Sequence, residues 1–381
     1  MKVAILGLGT VGFGVYDIID KSAYLNDVSV KYILDKDSSR QSMAPHAQVV
    51  QDLNIILNDP EVSIVVETMG AGEFSHKCMV SALKAKKSVI TANKEVVALY
   101  LDELTQLKLE NNVDLSFEPS VGGGIPLIAP LFQAVKTNEI DHINGIINGT
   151  TNFMLTRMIN DGMSFDNALK LAQKKGFAEA NPTADLEGLD MVRKITILSM
   201  IAYKGLISID DVYHYGISTL NSVDLDFIRS LNTYSLKLMA SSMRKDNVVS
   251  LSVEPNLVPK GSLFAGVNDE FNMVEINCDI NGDLAFYGKG AGRYPTANAI
   301  VDDLIDMKEG KLNPTFKAER VLKAQASDEV AQYYIRLNEG ESLNNEIVEE
   351  QKGLCVMTKE ISRADFLALK SKIAFYAKIK K

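Results

Sequence analysis

Short apolar runs alternate with segments of helical periodicity through the N-terminal third of the chain. The apolar runs predict strands at residues 2–6, 28–34, 63–67, 88–91 and 114–117. Helices are expected between them, most clearly at residues 74–85 and 95–111. Because strands that alternate with helices form parallel sheets, this region predicts a Rossmann-type, doubly wound nucleotide-binding domain.

The hydrophobic pattern of the middle region is typical of a mixed sheet covered by helices. It predicts strands at residues 144–151, 248–255, 272–281 and 283–288. We expect residues 127–289 to form an α+β catalytic and dimerisation domain. A helix at residues 296–307 is expected to return to the nucleotide-binding domain, which would comprise residues 1–126 and about 290–312.

The last region, residues 313–381, has its own pattern. It predicts a helix at residues 363–372 and strands at residues 332–337, 354–358 and 374–379. These elements suggest a small C-terminal domain.

One segment, residues 176–201, places charged residues at the entrance of an apolar helix. An asparagine, a proline and a threonine at residues 181–183 predict that a helix begins between residues 182 and 184. Asp190 and Lys194 lie four residues apart on one face of it, and the apolar residues 195–201 predict burial. Lys194 is therefore either part of an ordinary surface pair or a desolvated lysine poised for proton transfer.

Composition excludes several classes of partner. The 381 residues are 46% hydrophobic and 23% charged, with a net charge of −9, and no basic run is long enough for nucleic acid or an anionic membrane surface. No apolar stretch predicts a membrane span and no signal-peptide pattern is present, so we expect a cytoplasmic protein. The three cysteines and four histidines are scattered, which argues against a zinc site or a histidine triad.

A glycine loop follows the first predicted strand directly. Gly7, Gly9 and Gly12 form a GxGxxG motif with a strand before it and a helix after it, which predicts a dinucleotide site. Asp35, at the end of the second strand, would accept hydrogen bonds from the adenosine ribose and favour NAD. Lys36 and Arg40 could instead serve a 2′-phosphate, so both NAD and NADP remain open.

Two further polar positions lie where predicted strands end. Thr68 closes the third strand, and Lys94 follows the fourth at the start of a helix, where a cofactor or substrate is expected to bind. Three consecutive glycines then follow Glu118, in residues 118–126. Their backbone could bind an anion through amides or a monovalent cation through carbonyls, or it could serve as a hinge.

Five motifs together resemble the homoserine dehydrogenase family. In chain order they are GLGTVG at Gly7, TANK at Thr91, EPSVGGGIP at Glu118, INGTTNFML at Ile147, and GFAEANPTADLEGLD at Gly176, which is followed by Arg193 and Lys194. The resemblance runs from Met1 to about Lys308. It implies NAD(P)-dependent interconversion of L-aspartate 4-semialdehyde and L-homoserine, by a homodimer or homotetramer.

The resemblance also implies roles for individual residues. Lys194 would donate or accept the proton, Glu179 and Asp190 would bind the substrate, and Lys94 would contact both substrate and cofactor. Further cofactor contacts would come from Leu8, Thr10, Val11, Thr68, Gly176 and Gly292. A sodium-type ion would be held by the side chain of Glu118 and the main-chain oxygens of Val121, Gly123 and Ile125.

The tail departs from the family pattern. In many relatives it is an ACT domain that binds an amino-acid effector, but here the effector loop is replaced by residues 338–342 and the segment is shorter. We therefore expect a degenerate ACT-like tail that assists oligomer packing without threonine sensitivity. Two other functions stay open, namely another NAD(P)-dependent amino-acid dehydrogenase and a dinucleotide-sensing regulator without turnover.

Overall fold

The computed structural model describes residues 1–70, 72–245, 248–311, 314–325 and 329–380. The chain divides into two compact units. The first comprises Met1–Glu139, Ile197–Leu206 and Gly288–Val321, and the second Ile140–Thr196, Ile207–Tyr287 and Leu322–Lys381. The predicted boundary at residues 312 and 313 and the predicted end at residue 381 lie outside the described residues.

A six-stranded parallel sheet forms the centre of the first unit, in the order β3-β2-β1-β4-β5-β6. This is the strand order of a doubly wound nucleotide-binding fold, as predicted. The short third strand was missed because three residues are too few to show an alternating pattern. The strands are β1 Lys2–Leu6, β2 Ser29–Leu34, β3 Gln48–Val50, β4 Val62–Glu67, β5 Ser88–Thr91 and β6 Leu115–Ser116.

Helices and one small strand pair complete the first unit. They are α1 Thr10–Lys21, α2 Leu53–Leu57, α3 Glu73–Lys84, α4 Lys94–Asn111, α5 Ile128–Ala134 and α11 Arg293–Lys308, with β8 Gly205–Leu206 parallel to β14 Arg320–Val321. Helix α11 packs on α1, where Ala297, Ile300 and Leu304 share a buried core with Val15 and Ile19. The fold class of this unit is therefore the one predicted.

The second unit is built on an eleven-stranded mixed sheet. Its main order is β13-β12-β7-β10-β11-β19-β15-β17-β16. The strands are β7 Ile140–Ile146, β9 Tyr213–His214, β10 Tyr234–Lys245, β11 Val248–Pro259, β12 Phe271–Cys278, β13 Gly282–Lys289, β15 Val330–Leu337, β16 Val348–Lys352, β17 Cys355–Thr358, β18 Ile361–Ser362 and β19 Ile373–Ile379. The helices are α6 Gly149–Asn160, α7 Phe165–Lys174, α8 Thr183–Leu186, α9 Leu189–Tyr203, α10 Ser222–Leu231 and α12 Arg363–Ala368.

Two expectations for the second unit were wrong. The strand predicted at residues 144–151 ends at Ile146, and α6 begins at Gly149 because the Asn148 side chain caps it, accepting a hydrogen bond from the Thr151 amide at 2.9 Å. The helix predicted to begin between residues 182 and 184 does begin there, at Thr183, but it ends at Leu186, and a second helix, α9, begins at Leu189. Gly188 separates them with a φ of +80°, a conformation that L side chains rarely adopt.

The tail continues the sheet of the second unit. Strand β19 pairs in parallel with β11, and the tail strands follow the order β19-β15-β17-β16. The predicted strands and helix are present, although α12 ends at Ala368. The ACT-like assignment stays a prediction. Among the described residues, no helix has both the length and the apolar character to span a bilayer.

Candidate active site

Asp190 and Lys194 form a buried ion pair on the first turns of α9. The Lys194 Nζ lies 2.7 Å from Asp190 Oδ2 and donates to the main-chain oxygen of Ile147 at 2.7 Å. Only 7% of Asp190 and 8% of Lys194 are exposed, and the residues that follow on α9 are fully buried as predicted. The pair is therefore not on the solvent-exposed surface, and the ammonium is held in a fixed direction.

Two residues that the sequence did not single out complete this cluster. Asn148 Nδ2 donates to Asp185 Oδ1 at 2.7 Å and to Asp190 Oδ2 at 3.0 Å. Burial, with a smaller contribution from the charge of Asp190, raises the pKa of Asp185. Asn148 lies in the INGTTNFML motif and Asp185 in the acidic segment, but only the fold brings the two side chains together.

The turn at Gly188 connects the helices that carry Asp185 and Asp190, and so sets the distance between these two carboxylates. A Cβ atom at Gly188 would lie 2.7 Å from Val253 Cγ1, so a side chain there would have to displace the Val253 side chain. On the other side of the turn, the Leu186 carbonyl accepts a hydrogen bond from the Ile217 amide at 2.9 Å. The turn is thus fixed by its neighbours in the second unit.

Glu179 and Gly176 lie between α7 and α8. Glu179 is exposed, and its main-chain oxygen accepts a hydrogen bond from Gln173 Nε2 at 3.2 Å. Gly176 is exposed beyond the end of α7. The substrate role of Glu179 and the cofactor role of Gly176 both remain predictions.

The glycine loop of the first unit has the geometry of an anion site. A Cβ at Gly12 would lie 2.0 Å from the Gly7 carbonyl, whereas no atom lies within 4 Å of one at Gly9. Thr68 Oγ1 lies 2.9 Å from the Gly7 oxygen and so fixes the loop. Helix α1 begins directly after Gly9 and has no side-chain cap. The open face at Gly9 and the amides of this helix start therefore fit a dinucleotide diphosphate, beside Leu8, Thr10 and Val11.

Asp35 is hydrogen-bonded to the same loop. Its Oδ2 accepts hydrogen bonds from the Leu8 amide and from Arg40 Nη1, both at 2.9 Å, and its Oδ1 accepts from the Asp37 amide at 3.0 Å. Arg40 is thus paired with Asp35, whereas Lys36 is exposed. The carboxylate orders the loop whichever dinucleotide binds.

Lys94 is the first residue of α4, where the Asn93 side chain caps the helix by accepting from the Val96 amide at 3.2 Å. The neighbouring strand ends are joined by Glu67, a fully buried carboxyl that sequence analysis missed. Its Oε2 accepts from Thr91 Oγ1 at 2.7 Å, and burial raises its pKa. Glu67 therefore fixes the strand ends that carry Thr68 and Lys94.

Glu118 caps α5 from the glycine-rich segment. Its two carboxylate oxygens accept hydrogen bonds from the amides of Leu127, Ile128 and Ala129 at 2.5 to 2.8 Å. Burial raises its pKa. A cation here would share the carboxylate with three amides, so most of its ligands would have to be main-chain oxygens.

The other glycines of this part of the first unit are closely packed. A Cβ at Gly123 would lie 2.5 Å from the Gly290 oxygen, and Gly292 precedes the first turn of α11. This packing does not fit a freely flexible segment. Among the described residues, no group of three or more His, Cys, Asp and Glu side chains could hold a metal ion.

Comparisons with known proteins agree on one family. The profile described as homoserine dehydrogenase matches residues 126–305, and the profile described as homoserine dehydrogenase, NAD binding domain, matches residues 7–118. The homoserine dehydrogenase of Bacillus subtilis (strain 168) is 38% identical over 353 residues, covering 89% of this chain and 81% of the relative. That of Lactococcus lactis subsp. lactis (strain IL1403) is 32% identical, covering 98% and 96%.

Solved structures extend the similarity over the whole fold. The crystal structure of a homoserine dehydrogenase from Thiobacillus denitrificans has a TM-score of 0.90 and 30% identity, and the match covers 100% of this chain and 98% of the other. That of the S. aureus enzyme at pH 7.5 has a TM-score of 0.80 and 32% identity, with coverage of 100% and 98%. With these similarities and a nucleotide loop that fits a dinucleotide, the chain belongs to the homoserine dehydrogenase family and is an NAD(P)-dependent oxidoreductase.

Proposed function

We propose that Lys194 is the general acid and base in the interconversion of L-aspartate 4-semialdehyde and L-homoserine. The observation that carries the proposal is the buried ammonium, which is held between Asp190 and the Ile147 carbonyl. An ammonium has three N–H groups, and these contacts use two of them. The third can reach a substrate oxygen.

The proton transfer follows from this arrangement. The nicotinamide, when bound, supplies or accepts the hydride. In the direction of reduction, Lys194 gives its proton to the oxygen that becomes the hydroxyl; in the direction of oxidation, neutral Lys194 takes the hydroxyl proton.

Asn148 has the geometry of a positioning residue. Its amide nitrogen holds the carboxylates of Asp185 and Asp190 at the same time, while its oxygen caps α6. Two carboxylates held next to one donor in this way suit the α-ammonium of an amino-acid substrate. We therefore add Asp185 to Asp190 as a substrate-binding candidate, with Glu179 and Lys94 as further candidates from the family resemblance.

The cofactor proposal rests on the first unit. The residues that would hold NAD or NADP are Gly7, Leu8, Gly9, Thr10, Val11, Gly12, Asp35, Thr68 and Lys94, joined by Gly176 and Gly292. Since Asp35 already pairs with Arg40 and the Leu8 amide, we propose that NAD is at least usable. An assembly of two or four copies is part of the same proposal, and light scattering would measure it.

The decisive experiment is a spectrophotometric assay of the purified protein with L-homoserine and each oxidised cofactor. Turnover of homoserine that is lost in Lys194→Ala supports the proposal. Reduction of the cofactor with a different amino acid but not homoserine would indicate another amino-acid dehydrogenase. Cofactor binding without turnover of any substrate would indicate a regulator.

We also propose that a sodium-type ion binds at Glu118, with the main-chain oxygens of Val121, Gly123 and Ile125. A cation would offset the cost of burying the carboxylate, whose pKa burial raises. Melting temperatures in sodium chloride and in choline chloride, at equal ionic strength, test this for the wild type and for Glu118→Gln. Stabilisation by sodium in the wild type alone supports the site, whereas equal melting temperatures in the two salts contradict it.

A further inference from the structure

The tail is joined to the rest of the second unit by two buried arginine–carboxylate pairs. Arg363 Nη1 lies 2.9 Å from Glu254 Oε2, with side-chain exposures of 7% and 3%. Arg336 Nε lies 2.9 Å from Asp224 Oδ1, with exposures of 14% and 0%. The two pairs are chemically alike, but they end on different elements, β11 and α10.

Glu254 also receives a second tail contact. Tyr376 Oη donates to Glu254 Oε2 at 2.8 Å, and Tyr213 Oη lies 2.9 Å from Tyr376 Oη. The Arg363 guanidinium lies 4.5 Å from the centre of the Tyr213 ring. Because a buried carboxylate is costly without such partners, the tail fixes the side chain of Glu254 and the part of β11 that carries it.

That part of β11 supports the turn between α8 and α9. Neighbouring residues of a strand point to opposite faces, so Val253 faces away from the tail. There its Cγ1 leaves no room for a side chain at Gly188. The Val253 carbonyl also accepts from the Tyr215 amide at 2.8 Å, two residues before Ile217, which donates to Leu186. One strand thus contacts the tail on one face and the turn between Asp185 and Asp190 on the other.

We propose that Arg363 and Tyr376 are positioning residues for the reaction, acting through Glu254 and Val253 on the turn at Gly188. This inference rests on the proposed role of Lys194 and its neighbours. Displacement of a reacting group by about 1 Å can lower a rate by about 10²-fold, so a smaller shift of this turn is expected to lower kcat by about 10-fold. Asp224 lies on α10, which does not carry the turn. Arg336 Nη2 also donates to the Thr219 carbonyl at 2.7 Å, so neither contact of Arg336 lies on β11.

The test compares Arg363→Gln with the matched variant Arg336→Gln in the full-length enzyme. Both remove a buried tail pair and should lower the melting temperature. We expect Arg363→Gln to lower kcat with homoserine about 10-fold and Arg336→Gln to stay within about 3-fold, with the KM for the cofactor unchanged in both. Arg363→Lys, which keeps the charge, should restore part of the activity.

Equal losses of kcat in the two variants, or a folded Arg363→Gln enzyme within about 2-fold of wild type, would overturn the proposal. Should Arg363→Gln fail to fold, Tyr376→Phe replaces it, since this variant keeps the ring and removes one hydrogen bond to Glu254. A folded Tyr376→Phe enzyme with wild-type kcat would also overturn the proposal. Lys194→Ala, measured in the same series, distinguishes failure of this proposal from failure of the proposed function. An active Lys194→Ala enzyme would contradict the proton-transfer role of Lys194, independently of the result for Arg363→Gln.

Discussion

Replacing Lys194 by alanine tests the proposed chemistry most directly. The change removes the ammonium that lies 2.7 Å from Asp190 and from the Ile147 carbonyl. Asn148 still donates to Asp190 at 3.0 Å, but the buried Asp190 carboxylate loses its ion pair with Lys194. Both the rate and the stability of the protein should therefore fall.

The two effects have different sizes. Loss of a general acid or base lowers kcat by about 10² to 10⁴, or roughly 3 to 5 kcal/mol of activation free energy. Removing one partner of a buried ion pair costs about 3 to 5 kcal/mol of stability. Because the Asn148 hydrogen bond remains, we expect about 3 kcal/mol, equivalent to a fall of roughly 4 °C in Tm for a chain of 381 residues that unfolds as one unit.

The assay measures kcat in both directions at saturating cofactor, with a thermal melt of each variant. The control is Lys237→Ala, since Lys237 on β10 is 1% exposed, donates to the Val267 carbonyl and has a pKa lowered by burial to about 8. The control should lose stability but keep kcat within a few-fold. A kcat of Lys194→Ala within a few-fold of wild type, or an equal loss in Lys237→Ala, would refute the reasoning.

Three other substitutions give sharp expectations. Asn148→Asp keeps an acceptor for the α6 amides but replaces the donor to Asp185 and Asp190 by a third negative charge. We therefore expect kcat to fall at least 10-fold, while the helix content measured by circular dichroism stays unchanged. A wild-type kcat would exclude a positioning role for Asn148. Asp35→Ser frees Arg40 and should therefore raise kcat/KM for NADP relative to NAD. A wild-type enzyme that already selects NADP strongly would contradict the interpretation of Asp35. Burial, and to a smaller extent the charge of Glu118, raises the pKa of Asp303 well above its usual value. The protonated carboxyl of Asp303 therefore contributes to stability at acid pH, and this contribution is lost as the pH rises from about 4. Urea unfolding measures this. The free energy of unfolding of Asp303→Asn should rise relative to that of the wild type as the pH rises to about 8. A difference between the two proteins that does not change with pH would contradict the prediction.

The parts of the fold that could be predicted are those encoded by local patterns. Strand β1, the glycine loop and α1 follow one another directly, and their conformations depend on residues a few positions apart. The spacing of Asp190 and Lys194 on α9 is likewise a local property of a helix. The mostly apolar residues that follow them predicted a buried helix, but whether the pair itself is buried was left open.

The parts that could not be predicted depend on distant contacts. Ile146 and Ile147 are both apolar, so the end of β7 between them is not visible in the pattern; it is set by the Asn148 cap of α6. The break at Gly188 depends on Val253, which is far away in sequence. For the same reason Asp185 was not recognised, since its link to Asp190 passes through Asn148.

The first turn of the tail, at residues 338–342, uses part of its backbone within the chain. The Glu341 amide donates to the Asn338 carbonyl, and the Asn338 amide donates to the Lys372 carbonyl. These two amides are therefore not open to an effector carboxylate. By contrast, β19 pairs with β11 at Asn256 and Leu257, on the edge that β9 covers nearby. An uncovered strand edge invites pairing with other chains, so covering β11 is reason enough for the tail to be retained.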